Sequence, residues 1–506
     1  MFKDEGYDHR EALFGVPPYG GSIAQNVYYA DSDLCDPTVD TSKGYPSRAK
    51  VNGKMAPWPS PYILMVDRGG CTFVQKVGRL LGQFSTMRVW CQFSHFHFSL
   101  FVDKVRNAQR SGAAGVIIAD NTCLCSDPDC VSDSQCESTE PIMADDGSGK
   151  DISIPSFLMF KTDADQVKKE LMDDHPVQLE MSWSLPSPDD RVEYDLWTVP
   201  SDPVSKSFLK SFKPFAKALG DRAYFTPHMY VYDGDRTHCR GNDGESVCYN
   251  LCTNNGRYCA TDPDNDLDKG ISGQDVVRES LRRLCIWQYY GEDDGIGEKW
   301  WDYVGEFLDR CNSADFFMNE DCVKDCYKHA KIDGDIINNC MTDSGGLVKD
   351  QSNSKLDSEL DAQAERGIVV LPTAFVNTAA IRGQLSATNV FAAICAGYEE
   401  GTRPAICDKC VACSDPLACV TNGVCKGGPA SATRTDGVST HFFATSMLMV
   451  IGGFVALGVW HYKKTKEDMR EQVRGILAEY MPLEDQEDGA SPMDFARRGG
   501  TQSLIG

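Results

Sequence analysis

Apolar and polar residues are mixed along most of the chain, but one stretch near the C-terminus is apolar almost throughout, residues 442–460, FFATSMLMVIGGFVALGVW. At about 1.5 Å per residue, a helix of this length would span about 28 Å, close to the ~30 Å hydrocarbon core of a bilayer. A Ser/Thr-rich linker, 431–441, precedes it and a cluster of Lys and Arg follows it. We therefore predict one transmembrane helix, a cytosolic tail at 461–506, and a lumenal or extracellular position for the preceding residues. A buried core helix is the alternative.

Before residue 186, short apolar runs alternate with amphipathic stretches. The runs YILMVDRGGCTF from Tyr62 and AAGVIIADN from Ala113 each predict a buried strand that ends in a turn. The sequence KVRNAQRSGA, from Lys104, lies between them and predicts a short amphipathic helix. A strand, a helix and a returning strand form a βαβ-like unit, whose loops are where function is expected. We predict a β-rich first domain over residues 1–185.

One segment interrupts this pattern. The sequence FVQKV at 73–77 recurs as FVDKV at 101–105, and residues 78–105 are rich in Phe, Ser and Arg but contain one acidic residue, Asp103. Without residues 78–105, the sequence CTFVQKV would join RNAQRSGAAGV directly. We therefore interpret 78–105 as an insertion that arose from a retained intron or a tandem duplication.

Residues 186–400 predict a second domain of mixed strands and helices. The strand-like VEYDLWT, the helix SKSFLKSFKPFAKAL and the strand-like AYFTPHMYVYD precede a cysteine-bearing helical region. The sequences IVVLPTAFVN and TNVFAAICAGYEE then close the domain as a strand and a helix. This order resembles the thioredoxin fold with a helical insertion, and Pro372 stands where that fold keeps a cis proline. The fold class that we predict is therefore multidomain α+β, with a thioredoxin-like α/β second domain.

The thioredoxin resemblance makes a membrane-bound thiol oxidoreductase or folding factor the alternative to a binding protein. Thiol redox chemistry needs a Cys-x-x-Cys whose first thiolate lies at a helix N-terminus. The predicted helix that follows Asp202 contains no cysteine, and the chain has no HExxH, GxSxG or Walker A sequence. We predict that the protein is not an enzyme.

The chain contains 22 cysteines, which indicates an oxidising compartment in which disulfides persist. We expect the nine cysteines from Cys239 to Cys340 to be structural. Two local disulfides, rather than a zinc site, are expected in the cluster Cys123, Cys125, Cys130 and Cys136. Since a type I topology requires a cleaved leader and no apolar leader follows Met1, we expect this sequence to be N-terminally incomplete.

Acidic residues outnumber basic ones by 74 to 50, and the net charge of −24 excludes nucleic acid as a partner. The loop DPDNDLDKG contains four of them, Asp262, Asp264, Asp266 and Asp268. Alternate carboxylates can converge on calcium, but Leu267 stands where an EF-hand needs glycine and no glutamate closes the loop. We predict a solvated acidic turn, with a calcium loop as the alternative, and no metal site.

The turn after the first predicted strand is the candidate binding loop. Paired glycines, Gly69 and Gly70, leave backbone N–H groups open to a ligand, and Arg68 offers a forked cation to a carboxylate or carbonyl group. Alternatively, the glycines only make the turn and Arg68 pairs with a neighbouring acid. A disulfide between Cys35 and Cys71 is our hypothesis for what pins the loop, although spacing does not settle connectivity.

The first domain resembles the protease-associated (PA) domain, through the patterns VDRGxCxF, KVxNAQxxGAxGVIIADN and IPSFLMFKTDADQVKK. That resemblance implies a binding or lid module without catalytic groups. It also implies that one loop contacts a peptide ligand through Arg68, Gly69, Gly70, Cys71 and Thr72. Further motifs are SPDDRVEYDLW, NNGRYCATDP, DVVRESLRRLCIW, WWDYV, LPTAFVN, IRGQL and GYEEGTRPAIC. In this order, after a PA domain, they resemble the plant-type vacuolar sorting receptors.

The family resemblance implies a type I membrane receptor in the Golgi, trans-Golgi network and prevacuolar or endosomal membranes. Such a receptor binds sorting peptides of soluble vacuolar hydrolases or storage proteins and releases them in a more acidic compartment. Family members also carry several calcium-binding EGF-like repeats. Here residues 401–430 retain only CDKCVACSDPLACVTNGVC, at 407–425, as an EGF-like remnant. We therefore expect no cofactor, and calcium enters only through the resemblance.

The tail carries the candidate sorting signal, Tyr480, Met481, Pro482 and Leu483. An apolar stripe that ends at Tyr480 predicts a juxtamembrane helix, which Pro482 terminates. A tyrosine followed three residues later by a bulky apolar residue suits an extended segment whose two side chains enter separate pockets of a clathrin adaptor. The sequence also resembles the family's YMPL signal. The alternative is that Tyr480 and Leu483 pack at the membrane surface.

Overall fold

The computed structural model describes residues 6–35, 44–52, 54–69, 101–127, 136–145, 148–241, 244–368, 370–425 and 464. The predicted transmembrane segment, the sorting signal and most of the predicted insertion lie outside these ranges. Among the residues that are described, no helix is both long enough and apolar enough to cross a bilayer.

The first domain is built on a mixed sheet. Its elements are β1 (His9–Glu11), β2 (Ser22–Ala30), β3 (Gly44–Tyr45), β4 (Lys50–Val51), β5 (Lys54–Met55), β6 (Tyr62–Asp67), α1 (Phe101–Arg110), β7 (Ala113–Ala119), β8 (Ser156–Met159), α2 (Lys161–Met172) and β9 (Val177–Ser182). Seven strands follow the order β1, β8, β7, β6, β2, β3, with β9 also paired to β2, while β4 and β5 form a separate hairpin. The predicted strands at β6 and β7 and the predicted helix α1 are confirmed.

Four central strands, β2, β6, β7 and β8, run parallel. Strand β6 is buried from Tyr62 to Val66 because both faces of the sheet are covered. One face packs against α1, and the other face packs against Ala164, Val167 and Leu171 of α2. Since the central strands are parallel, their carboxyl ends and the loops that follow them share one edge of the sheet.

Helix α1 begins inside the predicted insertion. Its first turns are residues 101–105, and Val102, Val105 and Ala108 are buried in the core. The sequences at 73–77 and 101–105 are identical except at one position. A chain without residues 73–100 would therefore differ from a chain without residues 78–105 at only that position. The insertion stays a prediction, and Val102 and Val105 are part of the domain core.

The second domain follows in residues 192–396, with a disulfide-rich region after it. Its elements are β10 (Val192–Thr198), α3 (Pro203–Leu219), β11 (Ala223–Met229), β12 (Tyr232–Asp233), β13 (Cys252–Thr253), β14 (Tyr258–Cys259), α4 (Gly273–Tyr290), α5 (Glu298–Arg310), α6 (Glu320–Ala330), α7 (Gly334–Asp343), α8 (Ser354–Arg366), β15 (Thr373–Val376), β16 (Ala379–Ala380), α9 (Ala387–Ala396), α10 (Ala405–Cys410) and α11 (Pro416–Asn422).

The second sheet has the strand order β11, β10, β15, β16, in which β10 is parallel to β11 and antiparallel to β15. Helix α3 connects the two parallel strands and begins with Asp202, whose side chain accepts a hydrogen bond from the backbone N–H of Ser205 at 2.6 Å. Helices α4 to α8 form an insertion before β15. The Leu371–Pro372 peptide bond is cis. The predicted thioredoxin-like arrangement, including its cis proline, is confirmed.

Most of the cysteines in the described residues form disulfides. Four of the expected structural pairs join Cys239 to Cys248, Cys252 to Cys259, Cys285 to Cys340 and Cys311 to Cys322. The last region is tied to α9 and closed on itself by Cys395–Cys407, Cys410–Cys419 and Cys413–Cys425. Its described part, 401–425, contains two short helices and no strand. The interpretation as an EGF-like remnant therefore depends on cysteine spacing alone.

Candidate functional site

Arg68 lies directly after β6, at the edge where the parallel strands end. Its backbone N–H donates to the carbonyl oxygen of Ala119, at the end of the neighbouring strand β7, at 2.8 Å. Its guanidinium group reaches Asp120 through Nη1 at 3.0 Å. It also forms a forked pair with Glu137, with Nη1 and Nη2 at 3.1 and 3.0 Å from the two carboxylate oxygens. The predicted alternative, that Arg68 pairs with neighbouring acids, is what the structure contains.

The two carboxylates that hold Arg68 differ in exposure. Asp120 follows β7, and its side chain is 1% exposed, whereas that of Glu137 is 29% exposed. Burial alone would lower the pKa of Arg68, but the hydrogen bonds and charges of Glu137 and Asp120 raise it on balance. Arg68 therefore stays charged, and Glu137 is the partner that an incoming ligand can reach.

A disulfide positions Glu137. The bond Cys125–Cys136 closes the segment just before it, which confirms one of the two local disulfides predicted for this cluster. The backbone N–H of Glu137 donates to the carbonyl oxygen of Cys123 at 2.7 Å, and its carbonyl accepts from Cys125 at 2.9 Å. Cys123 is also disulfide-bonded, and Cys130 lies outside the described residues. The cysteine cluster thus fixes an acidic residue against Arg68.

Only part of the candidate loop is described. Gly69 has a positive φ of 104°, a conformation that favours glycine. The predicted contact residues Gly70, Cys71 and Thr72 lie outside the described ranges. Cys35 is disulfide-bonded, and its Sγ lies 3.7 Å from the carbonyl oxygen of Gly69. This position agrees with the hypothesis of a Cys35–Cys71 bond, which stays a prediction.

A second concave surface, which the sequence did not indicate, lies between the first and second domains. Its cavity volume is about 400 Å³, and its charged lining includes Glu11, Arg10, Glu140 and Arg382. Burial raises the pKa of Glu11. Backbone hydrogen bonds join the two domains beside it, from Gly383 to Ala12 and from Gln384 to Gly15, each at 2.8 Å.

The position at which a thioredoxin-like enzyme would hold its reactive cysteines is the start of α3. Here it reads Asp-Pro-Val-Ser, from 202 to 205. Among the described cysteines Cys326 is free, and its Sγ lies 3.4 Å from the Sγ of Cys311. Burial raises the pKa of the Cys326 thiol to about 12. A thiol that is protonated at neutral pH is a poor nucleophile, so this arrangement does not favour thiol exchange.

Two groups of three cysteines lie close enough together to suggest a metal site, Cys239, Cys252 and Cys259, and Cys311, Cys322 and Cys326. Five of these six sulfur atoms are in disulfides and are not available as thiolate ligands. Neither group fits a thiolate metal centre.

Comparison with known families matches both domains. The family model of the PA domain matches residues 23–167. A second model, the vacuolar sorting receptor thioredoxin-like domain, matches residues 192–395. By sequence, the chain is similar to the vacuolar sorting receptors. The resemblance that the sequence motifs indicated is confirmed.

Individual vacuolar-sorting receptors match the chain across both domains. Vacuolar-sorting receptor 4 of Arabidopsis thaliana is 34% identical over 426 residues, which are 79% of this chain and 58% of that protein. Vacuolar-sorting receptor 1 of Pisum sativum is 34% identical over 424 residues, with the same two coverages. The chain thus spans somewhat more than half the length of these vacuolar-sorting receptors.

Solved structures resemble this chain only weakly. Oxidised BdbD from Bacillus subtilis has a TM-score of 0.26 and 14% identity, and covers 42% of this chain and 89% of its own. DsbA from Mycobacterium tuberculosis in its reduced form has a TM-score of 0.24 and 11% identity, and covers 40% of this chain and 80% of its own.

Proposed function

We propose that this chain is a type I membrane sorting receptor that binds targeting peptides of soluble vacuolar cargo in the Golgi lumen and catalyses no reaction. The observation that carries the proposal is the pairing of a PA domain with a thioredoxin-like domain specific to vacuolar sorting receptors. The coverage of 79% of the chain by named receptors supports it further. We also propose that the receptor passes through Golgi, trans-Golgi and endosomal membranes and that clathrin adaptors collect it.

The ligand site that we propose is the loop of Arg68, Gly69, Gly70, Cys71 and Thr72. Loops at the carboxyl ends of parallel strands are common ligand positions. A carboxylate or carbonyl of the cargo would take the place of Glu137 on the guanidinium fork, because Glu137 is the more exposed of its two partners. Asp120 would keep its hydrogen bond from Nη1 and hold the guanidinium group in position.

Peptide binding to the purified full chain tests this site. We expect Arg68→Lys to weaken binding of a sorting peptide such as Asn-Pro-Ile-Arg at least tenfold, because lysine keeps the charge but cannot make the forked contact. We expect Glu137→Gln to strengthen binding severalfold, because it weakens the pair that the cargo must displace. Isothermal titration calorimetry at neutral and acidic pH gives both affinities.

The matched control is Arg106→Lys, in the same domain. Arg106 also pairs with acids, Asp103 and Asp151, at 2.5 and 2.8 Å, but on helix α1. This variant should bind the peptide as the unchanged chain does. Thermal unfolding of each variant separates lost binding from lost folding. Equal binding by the unchanged chain and Arg68→Lys would disprove the site, and no binding of any sorting peptide would disprove the ligand class.

A further inference from the structure

The acidic loop between β14 and α4 contains a buried carboxylate oxygen that has no hydrogen-bond donor. Asp262 is 8% exposed. Its Oδ1 accepts from the backbone N–H groups of Asp264 at 3.0 Å and Asn265 at 2.9 Å. Its Oδ2 is fully buried and receives no hydrogen bond from any residue in the described ranges. Because a buried anionic oxygen without a donor is costly, a neutralising group is required at this point.

The Asp262 side chain interacts with a second carboxylate, that of Asp264. Asp264 folds back over the loop, with Oδ1 accepting from the N–H of Asp266 at 3.0 Å and Oδ2 from that of Ile271 at 3.3 Å. Gly270 permits this, since a Cβ there would lie 1.7 Å from Asp264 Oδ2. Two carboxylates in contact cannot both carry a charge unless a cation or a proton lies between them.

A second oxygen without a donor belongs to a neighbouring segment. Asn250 lies in the short turn before β13, and its Nδ2 donates to the carbonyl oxygen of Leu267 at 2.7 Å. Its Oδ1 is buried and has no partner within the described structure. A residue that contacts the same loop from another segment thus also carries a buried oxygen without a donor.

We propose that this loop binds a calcium ion, with carboxylate oxygens of Asp262 and Asp264 and the amide oxygen of Asn250 as ligands and water as the remainder. The donor set is all oxygen, which suits calcium and excludes a preference for zinc or copper. Magnesium demands near-ideal octahedral geometry and sheds water reluctantly, which an irregular, exposed loop does not favour.

This proposal revises the prediction of a solvated acidic turn. Two features of the sequence disfavour an EF-hand, Leu267 in place of glycine and the absence of a closing glutamate. Gly270, with φ of 80°, provides the close approach in place of the first, and the proposed ligand set does not use the second. Asp266 and Asp268 are exposed and add negative potential at the mouth of the site. The loop leads into the capping box of Ser272 and Asp275 at the start of α4, so calcium would order the entry to the helical insertion.

The test is thermal unfolding and calorimetric titration of the full chain with CaCl₂ after treatment with a chelator, at constant ionic strength. We expect a dissociation constant on the order of 10⁻⁴–10⁻³ M, as in other extracellular calcium modules, and a rise of Tm with calcium. An equal concentration of MgCl₂ should give a clearly smaller rise. The site does not depend on peptide binding, so it can be tested whether or not the proposed receptor function holds.

Asp262→Asn is the decisive variant because the expected effect on Tm differs between chelator and calcium. The asparagine keeps the Oδ1 acceptor and places an N–H donor against Asp264. In chelator, its Tm should therefore equal or exceed that of the unchanged chain. In calcium it should show no rise, with affinity reduced at least tenfold. Asp264→Asn should lose the calcium response as well.

Asp294→Asn is the matched control. Asp294 caps a comparable turn, accepting from Ile296 at 2.8 Å and Gly297 at 2.9 Å, and its replacement removes the same charge. It should keep the full calcium response. The proposal is overturned if calcium does not stabilise the unchanged chain, in which case the two carboxylates share a proton. It is equally overturned if Asp262→Asn responds to calcium as the control does.

Discussion

Lys104 places a cation in the interior of the first domain. Its side chain is buried in α1, and its ammonium group donates a hydrogen bond to the backbone oxygen of Asp33. Burial lowers the pKa of Lys104 from 10.5 to about 8, although the carboxylates of Asp33 and Asp67 act in the opposite direction. Between these two pH values the unfolded chain binds more protons than the folded one. The free energy of unfolding therefore rises with pH between about 8 and 10.5. Below about pH 8 the fold bears the full cost of burying the charged lysine.

We expect Lys104→Met to raise the free energy of unfolding at pH 7, because methionine keeps the apolar stem without the buried charge. The gain should shrink as the pH rises from about 8 to 10.5. Urea unfolding at several pH values measures this difference. Lys210→Met, which removes an exposed lysine paired with Asp309, should show no such trend. A less stable Lys104→Met at pH 7 would mean that the bond to Asp33 outweighs the cost of burial.

At the candidate site, the sequence identifies Arg68 but not its partners. Asp120 and Glu137 lie 52 and 69 residues further along the chain. Because β6 and β7 are neighbouring parallel strands, Asp120 lies beside Arg68. The disulfide Cys125–Cys136 holds Glu137 next to the same guanidinium group. Neither the strand order nor the cysteine pairing can be read from local spacing. A residue type can be predicted locally, whereas its electrostatic partners depend on the tertiary fold.

Among the elements, those with a strong local signal were predictable. Strand β6 is a continuous apolar run, and α3 repeats apolar residues at helical spacing around the buried Phe208, Phe212 and Phe215. The edge strand β1 has only three residues, none fully buried, and gave no such signal. Its place in the sheet comes from pairing with β8. The cysteine-rich end was predicted from composition, but its two helices were not.

The disulfide Cys285–Cys340 joins α4 to α7 across 55 residues. In the chain-entropy account, closing a loop of that length stabilises the fold by about 4 kcal/mol, against about 2 kcal/mol for a loop of about seven residues. We therefore expect Cys285→Ala/Cys340→Ala to lose about twice as much stability as Cys252→Ala/Cys259→Ala, whose bond spans 7 residues. Guanidinium unfolding without reductant compares them. Equal losses would show that local packing, and not loop closure, dominates.

At the scale of the whole molecule, the proposed receptor needs its tail as well as its folded domains. Residues 480–483 lie outside the described ranges, so the adaptor signal is tested by function. We expect Tyr480→Ala or Leu483→Ala to reduce binding of the full chain to a clathrin adaptor at least tenfold, since each removes a side chain that fills a pocket. Phe495→Ala, an aromatic change elsewhere in the tail, should have no effect. Unchanged adaptor binding by both signal variants would remove the sorting signal from the proposal.

The disulfides also bear on how the chain is made. Seven of the eight described pairs join cysteines separated by 12 residues or fewer. Each of these bonds can close as soon as its own short segment leaves the ribosome, before later segments exist. Among the described pairs, Cys285 alone must wait for a partner 55 residues away, and α5 and α6 are synthesised in that interval. Oxidation of the described pairs during synthesis would thus follow chain order except in the helical insertion, where Cys311 and Cys322 can pair before Cys285 meets Cys340.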